Sequence, residues 1–173
     1  MKNSKIIGSM LVAVIILIVC RLYYNNDTQE KASFSTSFNI RKLTQKEYEE
    51  VGRSQLNNPV KDDFRKAVLS VDFQHTGKIK NRKITVPTIG ELKEAINSYE
   101  MDRYWFSSSY EQDNESEDIA EYTHEFVFYS KGLNNNDIKT LFSGLKINAS
   151  WLDSYGNSQK ESCILSEIIN FTE

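Results

Sequence analysis

The hydrophobic pattern divides the chain into a long apolar run near the N-terminus and a remainder in which apolar and polar residues alternate. Residues 6–19 carry no charge, and a helix over 6–24 would be about 28 Å long, close to the hydrocarbon thickness of a bilayer. A helix without a polar stripe is typical of a membrane span rather than of a core helix. The pattern therefore predicts a membrane anchor or signal segment in 1–24, a tether in 25–33 and a globular domain in 34–173.

The charges that flank the apolar run predict its orientation. Lys2 and Lys5 precede the run, while Arg21 near its end is a modest counterweight. Because positive charge is retained on the cytoplasmic side, the N-terminus is expected inside and the domain outside the cytoplasm. The predicted location is the cell membrane, crossed once, and residues 6–24 are the expected membrane contact.

Three fates of the N-terminal segment stay open at this point. A retained single-pass anchor is favoured because no small-x-small cleavage site follows the run. A cleaved secretion signal is the second. In the third, Cys20 becomes a lipidated N-terminus, since Leu17-Ile18-Val19-Cys20 resembles a bacterial lipobox, although Val19 stands where Gly, Ala or Ser is expected.

Alternation of apolar and polar positions predicts about seven strands in the domain. In the clearest, Ile119 to Ser130, one face carries Ala120, Tyr122, His124, Phe126 and Phe128. The other predicted strands are Phe34–Ile40, 66–74, Lys78–Val86, Arg103–Glu111, Leu145–Trp151 and Lys160–Phe171. In Arg103–Glu111, the alternation places Tyr104, Phe106, Ser108 and Tyr110 on one side and Trp105 on the other.

Capping signals predict short helices between these strands. Thr44 with Glu47 and Thr88 with Glu91 are capping boxes, and Asn134 is a third N-cap candidate. They predict helices near 45–51, from Thr88 to about Ser98, and over Ile138–Ser143. A further short helix is predicted from Asn58-Pro59 to about Arg65.

These elements together predict an α+β, β-rich antiparallel sheet domain with short helices, preceded by the transmembrane helix. An immunoglobulin-like β-sandwich is the alternative. It rests on Glu117-Asp118-Ile119-Ala120-Glu121-Tyr122, which resembles the Asp-x-Ala-x-Tyr corner of variable-type immunoglobulin domains. His124 replaces the cysteine of that family, and no partner cysteine lies upstream. The resemblance implies a sandwich and carries no function.

Composition narrows the classes of function. The 173-residue chain has a net charge of −3, and without Lys2, Lys5 and Arg21 it retains 18 basic against 24 acidic residues, a charge of −6. A mildly acidic domain argues against nucleic-acid binding. Cys163 is the single cysteine of the domain, so no internal disulfide is expected, which fits bacterial export better than a disulfide-rich secreted scaffold.

Motifs for catalysis, cofactors or metals are not found in the sequence, and no such residue is predicted. His124 is predicted to be a core histidine bonded to a neighbour, His75 to be exposed, and Cys163 to be a buried structural cysteine. The acidic loop 113–118 lacks the glycine of a calcium loop. One basic cluster is a candidate contact for lipid headgroups or anionic wall polymers: Lys78, Lys80, Arg82 and Lys83.

The sequence leads to three functional hypotheses. The first is a membrane-tethered extracytoplasmic interaction or binding module without catalysis, whose partner would be an envelope protein or wall polymer. The second is a cell-envelope hydrolase that uses paired carboxylates, which could converge from distant parts of the chain. The third is a lipoprotein that binds a small ligand or wall polymer.

Overall fold

A computed structural model describes residues 31–52, 56–100 and 102–172. The predicted transmembrane helix and most of the predicted tether therefore lie outside the described residues. Among the described residues, no helix is both long and apolar enough to cross a bilayer.

The described residues form two β-sheets connected by short helices. In chain order the elements are β1 (Ala32–Lys42), α1 (Gln45–Glu50), a 3₁₀ turn (Lys61–Asp63), β2 (Phe64–His75), β3 (Lys80–Thr85), α2 (Ile89–Asn97), β4 (Tyr104–Asp113), β5 (Ile119–Tyr129), α3 (Asn135–Leu141), β6 (Lys146–Leu152), β7 (Ser158–Ile164), α4 (Leu165–Ile168) and β8 (Ile169–Thr172). The larger sheet has the order β4-β5-β2-β1-β8, and the smaller has the order β3-β6-β7.

Strand pairing is antiparallel except between β1 and β8, which run parallel over four residues. The pairing of β1 with β2 runs without a shift from Ala32 opposite His75 to Lys42 opposite Arg65. The prediction of a β-rich domain with antiparallel sheets and short helices is confirmed.

The main core lies against one face of the larger sheet. Phe38, Leu69 and Phe126 from its three central strands are buried together with Ile147 from the smaller sheet. Helices α2 and α3 close this core with Leu92, Ile96 and Ile138, together with Phe142 directly after α3. Burying one such side chain contributes about 1.5–3 kcal/mol, so this face contributes much of the folding free energy. Phe126 and Phe128 of the predicted apolar face of β5 lie in this core.

A second, smaller core lies on the opposite face, under α1. Phe64, Val127 and Tyr129 are buried there with Leu43 and Val51, which flank the helix. The capping box of Thr44 and Glu47 begins α1 as predicted, and that of Thr88 and Glu91 begins α2. Asn134 caps α3, which begins at Asn135, three residues before the predicted start.

Two predicted elements are wrong. The helix predicted up to Arg65 is reduced to the 3₁₀ turn Lys61–Asp63, because Phe64 and Arg65 already pair with β5. The strand predicted over 160–171 is divided by α4. Its first part, β7, pairs with β6 in the smaller sheet, and its last part, β8, pairs with β1 in the larger one.

The predicted faces of β4 also need a correction. A register shift between Tyr104 and Phe106 places both Tyr104 and Ser107 opposite core residues of β5. Tyr104 therefore stacks on Phe126 in the core, while Phe106 lies on the other face and is 46% exposed. Such a bulge inverts the alternation beyond it, so Tyr104 and Phe106 do not share a face.

Candidate functional site

The antiparallel pairing gathers three turns at one end of the domain, which we call the hairpin end. The turns are 76–79 between β2 and β3, 114–118 between β4 and β5, and 153–157 between β6 and β7. The described chain also begins there. The backbone N–H of Lys31 donates to Thr76 Oγ1 at 3.2 Å, and the Thr76 N–H donates to the Lys31 carbonyl at 2.9 Å.

The predicted basic cluster lies on β3 and the turn before it. Lys78, Lys80 and Lys83 are exposed, and Lys78 and Lys80 lie at the hairpin end. The fourth member, Arg82, has a side chain that is only 3% exposed. Arg82 is therefore not available for the predicted contact with lipid headgroups or wall polymers, which stays a prediction for the three lysines.

Arg82 connects the two sheets instead. Its Nε and Nη2 atoms donate to Asp113 Oδ1 at 3.1 and 2.6 Å, and its other donors reach the carbonyls of Asn114 and Glu117 at 2.8 Å. The guanidinium also lies over the ring of Phe73. A buried cation is tolerated when its charge is paired and its donors are satisfied, and Arg82 meets both conditions.

The tyrosine corner that the immunoglobulin resemblance implies is not formed. In that corner the tyrosine hydroxyl bonds to the backbone a few residues upstream. Here the Tyr122 hydroxyl donates to the Asp113 carboxylate. Burial and the adjacent Asp113 charge raise the pKa of Tyr122, so its hydroxyl stays protonated.

Opposite charges and one aromatic side chain accompany the lysines at the hairpin end. Glu115 and Asp118 are exposed in the second turn. Tyr155 lies at the tip of the third turn and is 86% exposed. Asp153 accepts hydrogen bonds from the backbone of Tyr155 and Asn157 and so fixes this turn.

Glu47 and Glu125 are two carboxylates that converge on Lys66, at 3.1 and 2.7 Å from its Nζ. Arg41 also contacts Glu47 through both terminal nitrogens, at 2.8 and 2.6 Å. The hydrogen bonds from Arg41 hold the pKa of Glu47 far below its ordinary value. A hydrolase needs one carboxyl group with a raised pKa, so this network joins α1 to the sheet rather than forming an acid–base pair.

The two histidines occupy different environments. His124 is 2% exposed, and its ring donates to the Pro87 carbonyl, as predicted for a core histidine. Its Nδ1 is buried without a hydrogen-bond partner among the described residues. His75, predicted to be exposed, has a side chain that is 7% exposed and packs against Phe73.

Cys163 is half-buried, and its sulfur lies 3.6 Å from Thr36 Oγ1, so it joins β7 to β1. In the part of the chain that the structure describes, His, Cys, Asp and Glu side chains do not form a group of three or more that could hold a metal ion. The acidic loop contributes Asp113 to the pair with Arg82 instead.

A cavity of about 470 Å³ lies at the opposite end of the domain, which we call the far end. Its walls come from the last residues of β1 and β8, the start of β2, and α3: Ile40, Lys42, Arg65, Asn135, Phe171 and Thr172. Sequence reasoning missed this cavity because its residues come from four elements and because 160–171 was predicted to be one strand. No local motif marks it.

The comparisons with known proteins leave the function open. No family model matches the chain, and no curated protein matches it. A solved structure described as "Structure of Iho670 Flagellar-like Filament" aligns over 94% of this chain and 98% of its own, with 11% sequence identity and a TM-score of 0.21. A TM-score this low supports no inference about fold or function.

We expect Arg82→Met to lower the free energy of unfolding by about 3 kcal/mol, because it leaves the Asp113 charge and two carbonyls without their buried partner. Guanidinium denaturation would measure the change. Lys83→Met is the matched control on the same strand and should change stability by less than about 0.5 kcal/mol. Equal losses of unfolding free energy in the two variants would show that the ion pair of Arg82 and Asp113 does not stabilise the contact between the sheets.

Burial lowers the pKa of His124 in the folded state, so the unfolded chain takes up its proton first as the pH falls. The stability that this histidine contributes is present above about pH 6.5 and is lost as the pH falls from there toward its folded-state pKa. We therefore expect the free energy of unfolding in urea to fall between pH 7.5 and 5.5. His124→Gln should remove most of that fall, and His75→Gln should retain it. If the free energy of unfolding of His124→Gln fell as much over this pH range as that of the unsubstituted chain, His124 would not be the group responsible.

Proposed function

We propose that the protein is a membrane-tethered module that binds a partner outside the cytoplasm and has no catalytic role. The observation that carries this proposal is the position of Lys31, which is bonded to Thr76 at the hairpin end. The uncharged run 6–19 supports a transmembrane helix ahead of it. The attachment then lies at one end of the domain, and the far end is left for a partner.

The length of the tether limits how far the hairpin end can lie from the bilayer. Seven peptide units separate Tyr24 from Lys31, and a fully extended chain spans at most about 25 Å over that length. The attached hairpin end therefore stays within about 25 Å of the bilayer surface, and contacts of this end with the bilayer would turn the far-end cavity away from it. An envelope protein or wall polymer is the class of partner that would meet the far end.

The exposed residues of the hairpin end suit a position near the bilayer surface. Tyr155 is an exposed aromatic residue of the kind found at membrane interfaces. Lys31, Lys78 and Lys80 are exposed, and each contributes about 1 kcal/mol of attraction when near an anionic leaflet. Glu115 and Asp118 oppose them, so we infer that this end orients the domain while the anchor supplies the affinity.

Lipidation of Cys20 is the alternative form of attachment for the same module. It would place the domain on the same side of the membrane and the hairpin end nearest the bilayer, since the residues from Cys20 to Lys31 would still form the tether. The envelope-hydrolase alternative gains no support from Glu47 and Glu125, whose charges are already paired with Arg41 and Lys66.

We expect a fluorophore at Tyr155→Cys to be quenched by headgroup-labelled lipid when the full chain is reconstituted in anionic vesicles. A fluorophore at Lys139→Cys, in α3 at the other end, should be quenched several-fold less. Both substitutions would be made in a Cys20→Ala, Cys163→Ala background so that a single thiol is labelled. Equal quenching at the two positions would contradict the proposed orientation.

We also expect the full-length chain to remain in the membrane fraction of bacterial cells after alkaline extraction, and Cys20→Ala to leave this unchanged. Incorporation of a fatty-acid analogue that disappears in Cys20→Ala would identify the lipoprotein form instead. A soluble product shortened by about two dozen residues would identify a cleaved signal. Recovery of the uncleaved chain from the cytosol would contradict every form of the proposal.

A further inference from the structure

The far-end cavity contains hydrogen-bond donors and cations beside one accessible apolar side chain. Phe171 is half-buried and lines the cavity, while Ile40 is fully buried behind this wall. Lys42 and Arg65 contribute positive charge, and the amide of Asn135 and the hydroxyl of Thr172 are further polar groups in its walls. The lining is mixed, with two apolar and four polar or charged residues, and a volume of about 470 Å³ is large enough for a small molecule.

The guanidinium of Arg65 is positioned by hydrogen bonds from only one of its three nitrogens. Its Nη1 donates to the carbonyls of Asp62 and Phe64 at 2.9 and 3.1 Å. Its Nε and Nη2 have no hydrogen-bond partner among the described residues. Burial lowers the pKa of this guanidinium, while the charge of Asp62 opposes the shift only in part. The Nε and Nη2 donors themselves are not buried, so they are open to solvent, and an oxyanion beside Arg65 could accept hydrogen bonds from them.

The charge of the cavity walls is suited to an anion. Lys42 forms an ion pair with Asp62 at 2.9 Å, and both side chains are at least half exposed. Such a pair contributes little, so Lys42 can turn toward a ligand at small cost. Lys42 and Arg65 are the charged residues among the described ones that line the cavity, so its walls carry positive charge. The half-buried ring of Phe171 beside them favours an oxyanion with a small organic body over a free inorganic anion.

We propose that the cavity binds a small organic carboxylate, with its carboxylate on Arg65 and Lys42 and a short apolar body on Phe171, in front of the buried Ile40. The planar guanidinium matches the two oxygens of a carboxylate. Because the cavity lies at the end away from Lys31, this binding is independent of how the chain is attached to the membrane. Its failure and the failure of the membrane proposal are therefore distinguishable.

The test uses the full-length chain in zwitterionic nanodiscs, labelled with ¹³C at the isoleucine δ1 methyl groups, with benzoate as the probe. We expect a saturable shift of the Ile40 methyl signal at constant ionic strength, while the signal of Ile96 in α2 stays unchanged. Benzyl alcohol has the same ring without the charge and should give no saturable shift. An unchanged Ile40 signal, or equal responses to the two compounds, would overturn the proposal.

Substitutions then test which charged side chains bind the carboxylate. Arg65→Gln should weaken benzoate binding about tenfold, the loss expected when a charge-assisted hydrogen bond is removed. Lys139→Gln in α3 removes an exposed cation that does not line the cavity and should leave binding unchanged. If the methyl spectrum shows that Arg65→Gln is not folded, Lys42→Gln and Phe171→Ala replace it, and each should weaken binding several-fold. Unchanged affinity in the folded variants would overturn the assignment.

Discussion

The pairing of β2 with both of its neighbours is the constraint on which the rest of the structure depends. This strand of 12 residues pairs in continuous register with β1 on one side and β5 on the other. Ala67, Leu69 and Val71 face the main core as a result, and Phe73 on the same face packs against Trp151 in a neighbouring cluster. A shift by one residue would expose all four and bury polar side chains instead, so the register is strongly determined. Because the pairing is antiparallel, the turns gather at one end.

The elements that could be predicted from the sequence are those whose information is local. The alternation in β5 and the capping boxes of α1 and α2 need only residues within a few positions of one another. The elements predicted wrongly are set by distant partners. Phe64 and Arg65 become strand because β5 lies alongside them, and the bulge in β4 is visible only in its pairing with Val127 and Phe128. Tertiary pairing overrides local propensity at these positions.

The burial of the charged residues could not be predicted from local sequence either, but the buried cations share one property. Arg82 could not be separated from Lys78 and Lys80 by sequence because its partner, Asp113, lies 31 positions later. Arg103 is likewise buried, with its donors on the carbonyls of Tyr99, Tyr129 and Lys131. Both buried cations are arginines, whereas the exposed cluster consists of lysines. The planar guanidinium with five donors tolerates burial better than a strongly hydrated ammonium group does. An arginine within a cluster of lysines is therefore a usable sequence signal for a buried cation.

The break in the last predicted strand links the fold to the candidate site. Leu165 and Ile169 are both buried, and the four residues of α4 carry the chain from the smaller sheet to the edge of the larger one. There β8 pairs in parallel with β1, which places Phe171 beside Ile40. One continuous strand over 160–171 would have kept Phe171 and Thr172 in line with β7, and the cavity would have lacked that wall. The separate strand β8 was not predicted from local patterning, and this strand forms one wall of the far-end cavity. Its position is set by pairing with β1, between residues about 130 positions apart.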